Sequence, residues 1–545
     1  MSRRLTYLCL AGLIVFAATL EVLSIRDKSL TQDEPWHFRY GANILNGDSS
    51  RFVDGTMPVT ALNALPSKLA DLTILSRYRG ILGSVPTGRY VTIAFNILIA
   101  LLVFSWGRRL YGEAAALLAL ALYVLSPNLI AHSRLITTDV YAAGMTLAVL
   151  FSLWRFTKHV SLSNGLLAAV VLGLSQVTKY ICILLYPIAI ILVGLRHGSA
   201  LVNALSKRNL KTLRPNLRRA AGYVVLFIVI NLLIINACFL FNRTFTPLDQ
   251  YALRSDAFKR ACASLGSLAK IPLPLPYPYL EGIDWGIYRT ETGKGFGSMY
   301  LFGQLRKIGG FKGYYFFAFL FKVPLATQVL IVVALVAYIR RRRYYDFLKD
   351  EVFLLVPAIF FAIYFNFFFK LQIGIRHFLI VFPLLHLFCA SLLKAGLPVS
   401  RRIKVTLAVL LCYQTISVLS YFPHYIPYFN ELVWDRKQAY RILADSNIDW
   451  GQDRKYLERY LKQHPDAFVE KTEWRMKRPR ERFERNHLKP QFPDSGKIIV
   501  SVNNLVGIHD PERYRWLREN YKPVDHIGYS YVIFEISPGD SLSPR

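Results

Sequence analysis

Residues 90–107 read YVTIAFNILIALLVFSWG, without one charged side chain, and Arg108-Arg109 follow at once. About 20 apolar residues wound as a helix cross the hydrocarbon core of a bilayer, because a helix satisfies its own backbone polar groups where water is absent. A single run of this kind also suits a buried core helix. The pattern recurs, however, at Leu5–Ile25, Ala114–Ala131, Val140–Phe156, Gly165–Val177, Ile181–Leu195 and Ala220–Phe241, and again at Tyr314–Ile339, Val352–Phe369, Phe378–Leu397 and Val405–Phe422. Together these make about eleven expected spans, which no soluble core accommodates. The pair flanking Lys179 is short, so a re-entrant hairpin is the alternative there; it leaves the parity unchanged.

Composition agrees. The chain of 545 residues is 53% hydrophobic and only 19% charged, with mean hydropathy +0.31. A soluble domain carries about 25% charged residues. The net charge of +31 would suggest nucleic acid in a soluble protein, but here much of the Lys and Arg sits just beyond the apolar runs. Basic residues in that position set topology against an anionic leaflet, so no nucleic-acid partner is expected. Arg3-Arg4, Arg108-Arg109, Arg155 with Lys158, the stretch from Arg196 to Arg219, Arg340–Arg343 and Arg401-Arg402 all fall on one side. The positive-inside rule makes that side cytoplasmic, with the N-terminus inside and the C-terminus outside. The first apolar run lacks a small-residue cleavage site and is kept as an uncleaved span. Six cysteines without a C-x-x-C pair read as small hydrophobes, with no disulfide framework or zinc site.

The outer side then holds the loop 26–89, the turn His132–Asp139, the loop 242–313, the turn Lys370–His377 and the tail 423–545. Residues 1–422 form a transmembrane portion and 423–545 a small extracytoplasmic α/β domain, with a helix over Gln452–Gln463 and strands at Ile498–Val502 and Tyr529–Ile536. Glu470–Lys489 is densely charged and expected to be solvated. In the loop 242–313, Pro272, Pro274, Pro276 and Pro278 favour an extended segment, and Gly293, Gly295 and Gly297 a mobile one; a plain connection and a gating loop both fit. There is no internal repeat of the transporter kind.

Several ionisable residues fall where these outer elements should meet. Asp33-Glu34 opens the first loop; paired carboxylates there suit a general base and its partner, while Asp before Glu-Pro also suits the start of a surface helix. Asp139 ends the second turn, where it serves either as a helix cap or as a functional group at the membrane edge. Lys179, Lys322 and Arg376-His377 are cations on the side that topology disfavours. They fit a seat for a lipid phosphate, or plain snorkelling to the lipid surface. Asp445-Ser446-Asn447-Ile448-Asp449 starts like a calcium loop, but Trp450 stands where glycine is needed and Tyr456 where glutamate is. No Walker loop, dinucleotide fingerprint, G-x-S-x-G or H-E-x-x-H is present. What remains is chemistry on lipid-linked substrates, or transport.

Four pieces, in order along the chain, resemble the polyprenyl-phosphate-dependent glycosyltransferases of the GT-C superfamily, and within it the bacterial protein O-mannosyltransferase and aminoarabinose-transferase-like branch. They are Asp33-Glu34; Ser133-Arg134 through Thr137-Thr138-Asp139; Gly374-Ile375-Arg376-His377; and Pro423-His424-Tyr425 through Asn430-Glu431, followed by Asp445–Asp453. Where Gly-Gly often follows the Asn-Glu segment in bacterial members, this chain has Val433-Trp434-Asp435. The resemblance implies an integral protein of a bacterial inner membrane. It would transfer a sugar, with inversion, from a polyprenyl-phosphate carrier to a hydroxyl on a protein, lipid or glycan. It further implies Asp33 as the base, Glu34 as an orienting group and Asp139 as the third acidic residue. Lys179, Arg376, His377, Arg134 and Lys322 would surround the donor phosphate. Asn430, Glu431, Asp445, Asp449 and Asp453 would form an acceptor or structural motif. No cofactor is required on this view, although a divalent cation shared by Asp33 and Asp139 stays open. The rival expectations are a flippase or exporter for a lipid-linked sugar, which would not need Asp33, and a non-catalytic envelope scaffold acting through its tail.

Overall fold

The computed structural model describes residues 2–206, 210–469 and 495–537, with side chains left aside for 199–216; Glu470–Lys489 lies outside the described residues. The protein is an α-helical integral membrane protein. Among the described residues, seven helices are long and apolar enough to cross a bilayer, and nine are if each of two bent pairs counts as one span. Two shorter apolar helices, Leu162–Gln176 and Val352–Phe368, coincide with the two remaining expected runs. Burial sorts the helices radially. Ile375–Leu393 is 89% buried and lies at the centre, whereas Leu217–Cys238 is 17% buried and stands at the perimeter. The perimeter helices turn Leu, Ile and Val side chains outward, among them Ile190, Val224 and Ile416. That outward apolar surface is what lipid, and not water, accommodates.

Two expected spans are broken. The run Tyr314–Ile339 is two helices, Tyr314–Lys322 and Leu325–Arg340, bent by 113°. Pro324 cannot donate a backbone N–H and its ring crowds the preceding turn, so the helix stops there. The carbonyls of Leu320 and Val323 then accept from the Asn430 amide at 2.6 and 2.7 Å. The run Ala114–Ala131 bends by 64° between Glu113–Val124 and Pro127–Ser133, and the Leu125 carbonyl accepts from Gln414 at 3.0 Å.

At one end of the bundle the loops and the tail interlock. The tail sheet orders its strands Phe468–Val469, Gly496–Ser501, Tyr531–Ile536 and Asp525–Ile527, with the first pair parallel and the others antiparallel. Successive residues alternate between faces. Ile498, Val500, Val532 and Phe534 join the main core, while Ile499, Ile533 and Ile527 pack with Leu457 of the helix Arg454–Gln463. The two longer strands and this helix lie where the sequence pattern puts them. The short edge strands offer too few residues for a period to show.

The loop 242–313 is more regular than its prolines and glycines suggest. Pro278 sits in the first turn of a helix, Tyr277–Thr292, where a missing N–H costs nothing, and Gly293 ends it in the left-handed region. Arg51 Nη2 binds Glu281 at 3.0 Å, Arg254 binds Asp54 at 2.6 Å, and the Ser298 amide donates to the Ile508 carbonyl at 2.8 Å. This loop therefore bridges the first loop to the tail.

Candidate active site

The side chains expected to carry chemistry divide into a central cluster and a supporting frame. Asp33 precedes the helix Glu34–Leu45, yet its carboxylate makes no capping bond. Its Oδ2 instead accepts from Arg376 Nη1 at 3.1 Å. Asp139 is the first residue of the helix Asp139–Lys158, with Thr138 in the cap position; it binds the Lys179 ammonium, and its Oδ2 lies 3.7 Å from Arg376. The helix-cap alternative thus fails at both positions. Asp139 is buried and Asp33 half-exposed, with a side chain 39% accessible. Burying a carboxylate is costly unless cations accompany it, and Asp139 has two.

Lys179 follows the helix Leu162–Gln176 in extended conformation, which carries its ammonium across to Asp139 and to His377 Nδ1 at 3.0 Å. An ammonium has only protons to give, so Nδ1 accepts and the ring proton resides on Nε2. Arg376 stands in the first turn of the central helix Ile375–Leu393. A Cβ on Gly374 would fall 2.2 Å from Ser446 Oγ, so only glycine permits this approach of turn and tail. The Ile375 amide donates to Asn447 Oδ1 at 3.0 Å, fixing the turn on the tail.

Three expected site residues are committed elsewhere, which corrects their assignment. Glu34 is fully buried; it accepts from Arg89 at 2.6 and 2.7 Å, from the Thr31 amide at 2.7 Å and from the Ile136 amide at 3.2 Å. It ties three segments together and does not face the opening beside Asp33. Arg134 donates to the carbonyls of Ser24 and Pro423, and Lys322 to those of Ile426 at 2.9 Å and Asn447 at 2.6 Å. These two cations brace the junction of bundle and tail. In the tail motif, Asn430 seals the break at Pro324, Glu431 accepts from Ser417, and Asp445 accepts from the Ser446 amide and faces Arg376 electrostatically. Asp449 accepts from the Gly451 amide, and Asp453 binds Lys28 and Ser530. Burial pushes the Asp449 carboxyl up to about 7.

Other residues at the cluster carry no motif. The Arg376 guanidinium lies over the Trp450 ring. Arg289, from the loop 242–313, rests on Trp285 and Phe296 and faces Asp33 electrostatically; burial lowers it to about 10, against the pull of Asp33. His37, one turn beyond Asp33, is held below the usual imidazole range by burial, again opposed by Asp33. In the topology expected from the sequence, Arg89 shares the side of Lys179, just before residues 90–107, so the same reasoning reaches it. Nothing in the sequence marks Arg289 or His37.

Asp33 and Asp139 are the carboxylates that a divalent ion would share, and the charge between them is the Arg376 guanidinium. Among the described residues no group of three His, Cys, Asp or Glu side chains is arranged to hold a metal.

Fold and cluster together define a polytopic membrane protein with a carboxylate–cation site at one end. Residues 84–235, which contain Asp139 and Lys179, match the family described as dolichyl-phosphate-mannose-protein mannosyltransferase. That match falls on the class of enzyme the sequence motifs resemble. No curated protein matches the chain. Among solved structures, the oligosaccharyltransferase AglB from Archaeoglobus fulgidus, in complex with an inhibitory peptide and a dolichol-phosphate, shares 14% identity at a TM-score of 0.44 over 84% of this chain and 60% of its own. The chain thus spans about three fifths of that protein's length. ArnT from Cupriavidus metallidurans in the apo state shares 13% identity at a TM-score of 0.31 over the full length of both chains. Its form bound to undecaprenyl phosphate shares 12% at 0.30, over 98% of this chain and 99% of that one. At such scores these are loose likenesses in shape.

Proposed function

We propose that the protein is an inverting membrane glycosyltransferase that moves a sugar from a polyprenyl-phosphate-sugar donor to a hydroxyl acceptor on the outer face of the membrane. The observation that carries this reading is the meeting of a half-exposed carboxylate, Asp33, with two cations, Lys179 and Arg376, held by a buried one, Asp139. The match over residues 84–235 supports it independently.

Asp33 takes the proton of the acceptor hydroxyl as that oxygen attacks the anomeric carbon, because a hydroxyl is a poor nucleophile until a positioned base receives its proton. The new bond forms opposite the departing group. The bond from carbon to phosphate oxygen breaks with its electron pair passing to the phosphate, and Lys179 and Arg376 stabilise the charge that develops there. Asp139 acts through these cations, setting where they point. The polyprenyl phosphate is itself the leaving group, so no nucleotide diphosphate needs a metal to chelate it. A divalent ion between Asp33 and Asp139 would have to displace Arg376. Residues 1–422 do this work, and the tail 423–545 closes the site through Trp450 and Asn447.

The test is transfer by the Asp33→Asn variant. Mass spectrometry of envelope glycans, glycolipids and glycoproteins, from cells carrying either form, names the sugar and acceptor in one comparison. Products present at wild-type level with Asp33→Asn would favour an exporter, which needs no base.

A further inference from the structure

Along the helix Glu34–Leu45, beyond Asp33, lies a cavity of about 150 Å³ that the proposed transfer does not use. At a rise of about 1.5 Å per residue, Trp36 stands ~4.5 Å and Tyr40 ~10 Å from Asp33 along the axis. One wall is an aromatic platform: Trp36 and Phe52 stack with centroids 4.3 Å apart and planes 9° apart, and Phe52 is 67% exposed. Each ring covers one face of the other, and the face of Phe52 turned away from Trp36 is left open.

The interior is polar. Tyr40 is 2% exposed, lines the cavity, and its buried hydroxyl has no hydrogen-bond partner. An unpaired buried hydroxyl is costly, so water or a ligand hydroxyl belongs there. Arg39 lines the same space, is exposed, and makes no ion pair with a described residue. Arg51 is neutralised by Glu281 and fixed on the Tyr180 hydroxyl at 2.9 Å, so it offers direction more than charge. Asn43 donates to the Ser50 carbonyl at 3.2 Å and holds the rim loop in place.

We propose that this cavity is an acceptor subsite for a pyranose ring, and hence that the acceptor is a saccharide and not a Ser or Thr side chain of a protein. The proposal rests on the transferase reading above. A pyranose has a face of C–H bonds that lies on aromatic rings and a rim of hydroxyls that pairs with a phenol and guanidinium groups. A lipid chain would leave the Tyr40 hydroxyl and Arg39 unpaired, and the space is small beside the roughly 300–1,000 Å³ of larger ligand pockets, so it suits a single ring. A peptide would bring backbone N–H groups, and the arginines that line the space offer them no acceptor. Placed here, the ring next to the reacting one would hold its neighbour's hydroxyl against Asp33.

The experiment is saturation-transfer NMR on the full chain in detergent, using a panel of methyl pyranosides and, in parallel, N-acetyl-threonine amide. Binding of undecaprenyl phosphate is measured on the same samples. At least one pyranoside is expected to receive saturation on its ring protons. Phe52→Ala, at an exposed position, and Tyr40→Phe, which removes only the hydroxyl, should each weaken that binding about threefold to tenfold, as loss of one contact implies. The proposal is overturned if no pyranoside binds, if neither variant changes the signal, or if threonine amide alone shows the Phe52 dependence. The donor arm separates the two readings. Undecaprenyl phosphate bound without any pyranoside removes only the subsite, while pyranoside bound with no phosphate carrier removes the donor assignment.

Discussion

The guanidinium carbon of Arg376 lies 4.0 Å from the centre of the Trp450 ring, while its Nη1 meets Asp33. A tail residue thereby sets the plane of a cation in the proposed donor seat. Trp450→Leu removes the ring face, which is worth about 0.5–2 kcal/mol for a cation–π pair. Turnover should fall roughly threefold to thirtyfold, with partial recovery in Trp450→Phe. Steady-state kinetics of the three proteins checks this; equal loss in both variants would mean packing alone.

Asp33→Asn keeps size and hydrogen bonding but removes the base. Transfer should drop about 100-fold to 10,000-fold, the usual share of general base catalysis, while undecaprenyl phosphate binding is retained. Radiolabelled donor binding beside turnover separates the two effects.

Asp139 is buried between Lys179 and Arg376. Asp139→Ala leaves Lys179 without its anion and Arg376 with Asp33 alone, and breaking a buried pair costs about 3–5 kcal/mol. A lower melting temperature in detergent and weaker phosphate binding should appear together. If phosphate affinity stays unchanged in the folded variant, Asp139 does not position those cations.

Turnover in the presence of EDTA should equal that in its absence, because the Arg376 guanidinium already provides the positive charge between the two aspartates. A loss of activity restored by added manganese or magnesium would overturn this.

Asp449 gives a pH dependence of stability. Its folded pKa, pushed up to about 7 by burial, lies above the ordinary value of about 3.9. Its contribution is then fully present below pH ~4 and is lost as the pH rises to about 7, because only the unfolded chain readily gives up this proton. Relative to Asp449→Asn, the wild type should lose melting temperature between those limits and run parallel above them. Parallel curves across the whole range would contradict the assignment.

Much of this was legible in the sequence. Apolar runs near 20 residues carry the bilayer requirement in their length, and the alternation of Arg and Lys clusters marks which segments share an end. Lys179 and Arg376 could be nominated because the positive-inside rule gave no reason for their charge, Asp33 as one of two adjacent carboxylates and Asp139 as an acidic residue at the membrane edge. The bends at Pro127 and Pro324 were hidden, since hydropathy counts residues and says nothing of direction. Glu34 misled because adjacent carboxylates look alike in sequence, whereas the helix start sends one to the opening and the other to Arg89. Arg134 and Lys322 misled for a similar reason: a cation serves a buried carbonyl as well as a phosphate. His37, Arg289 and the Trp36–Phe52 platform lie in segments without period or motif, and only the folded chain gathers them.

The clasp between the first loop and the tail has a consequence for synthesis. Gln32 donates its amide to the Trp450 carbonyl, Ser29 to that of Gln452, and Lys28 binds Asp453. A chain still emerging from the ribosome has its acidic residue near position 33 long before those partners exist. The clasp therefore cannot close until residues 450–453 have been made and have left the ribosome.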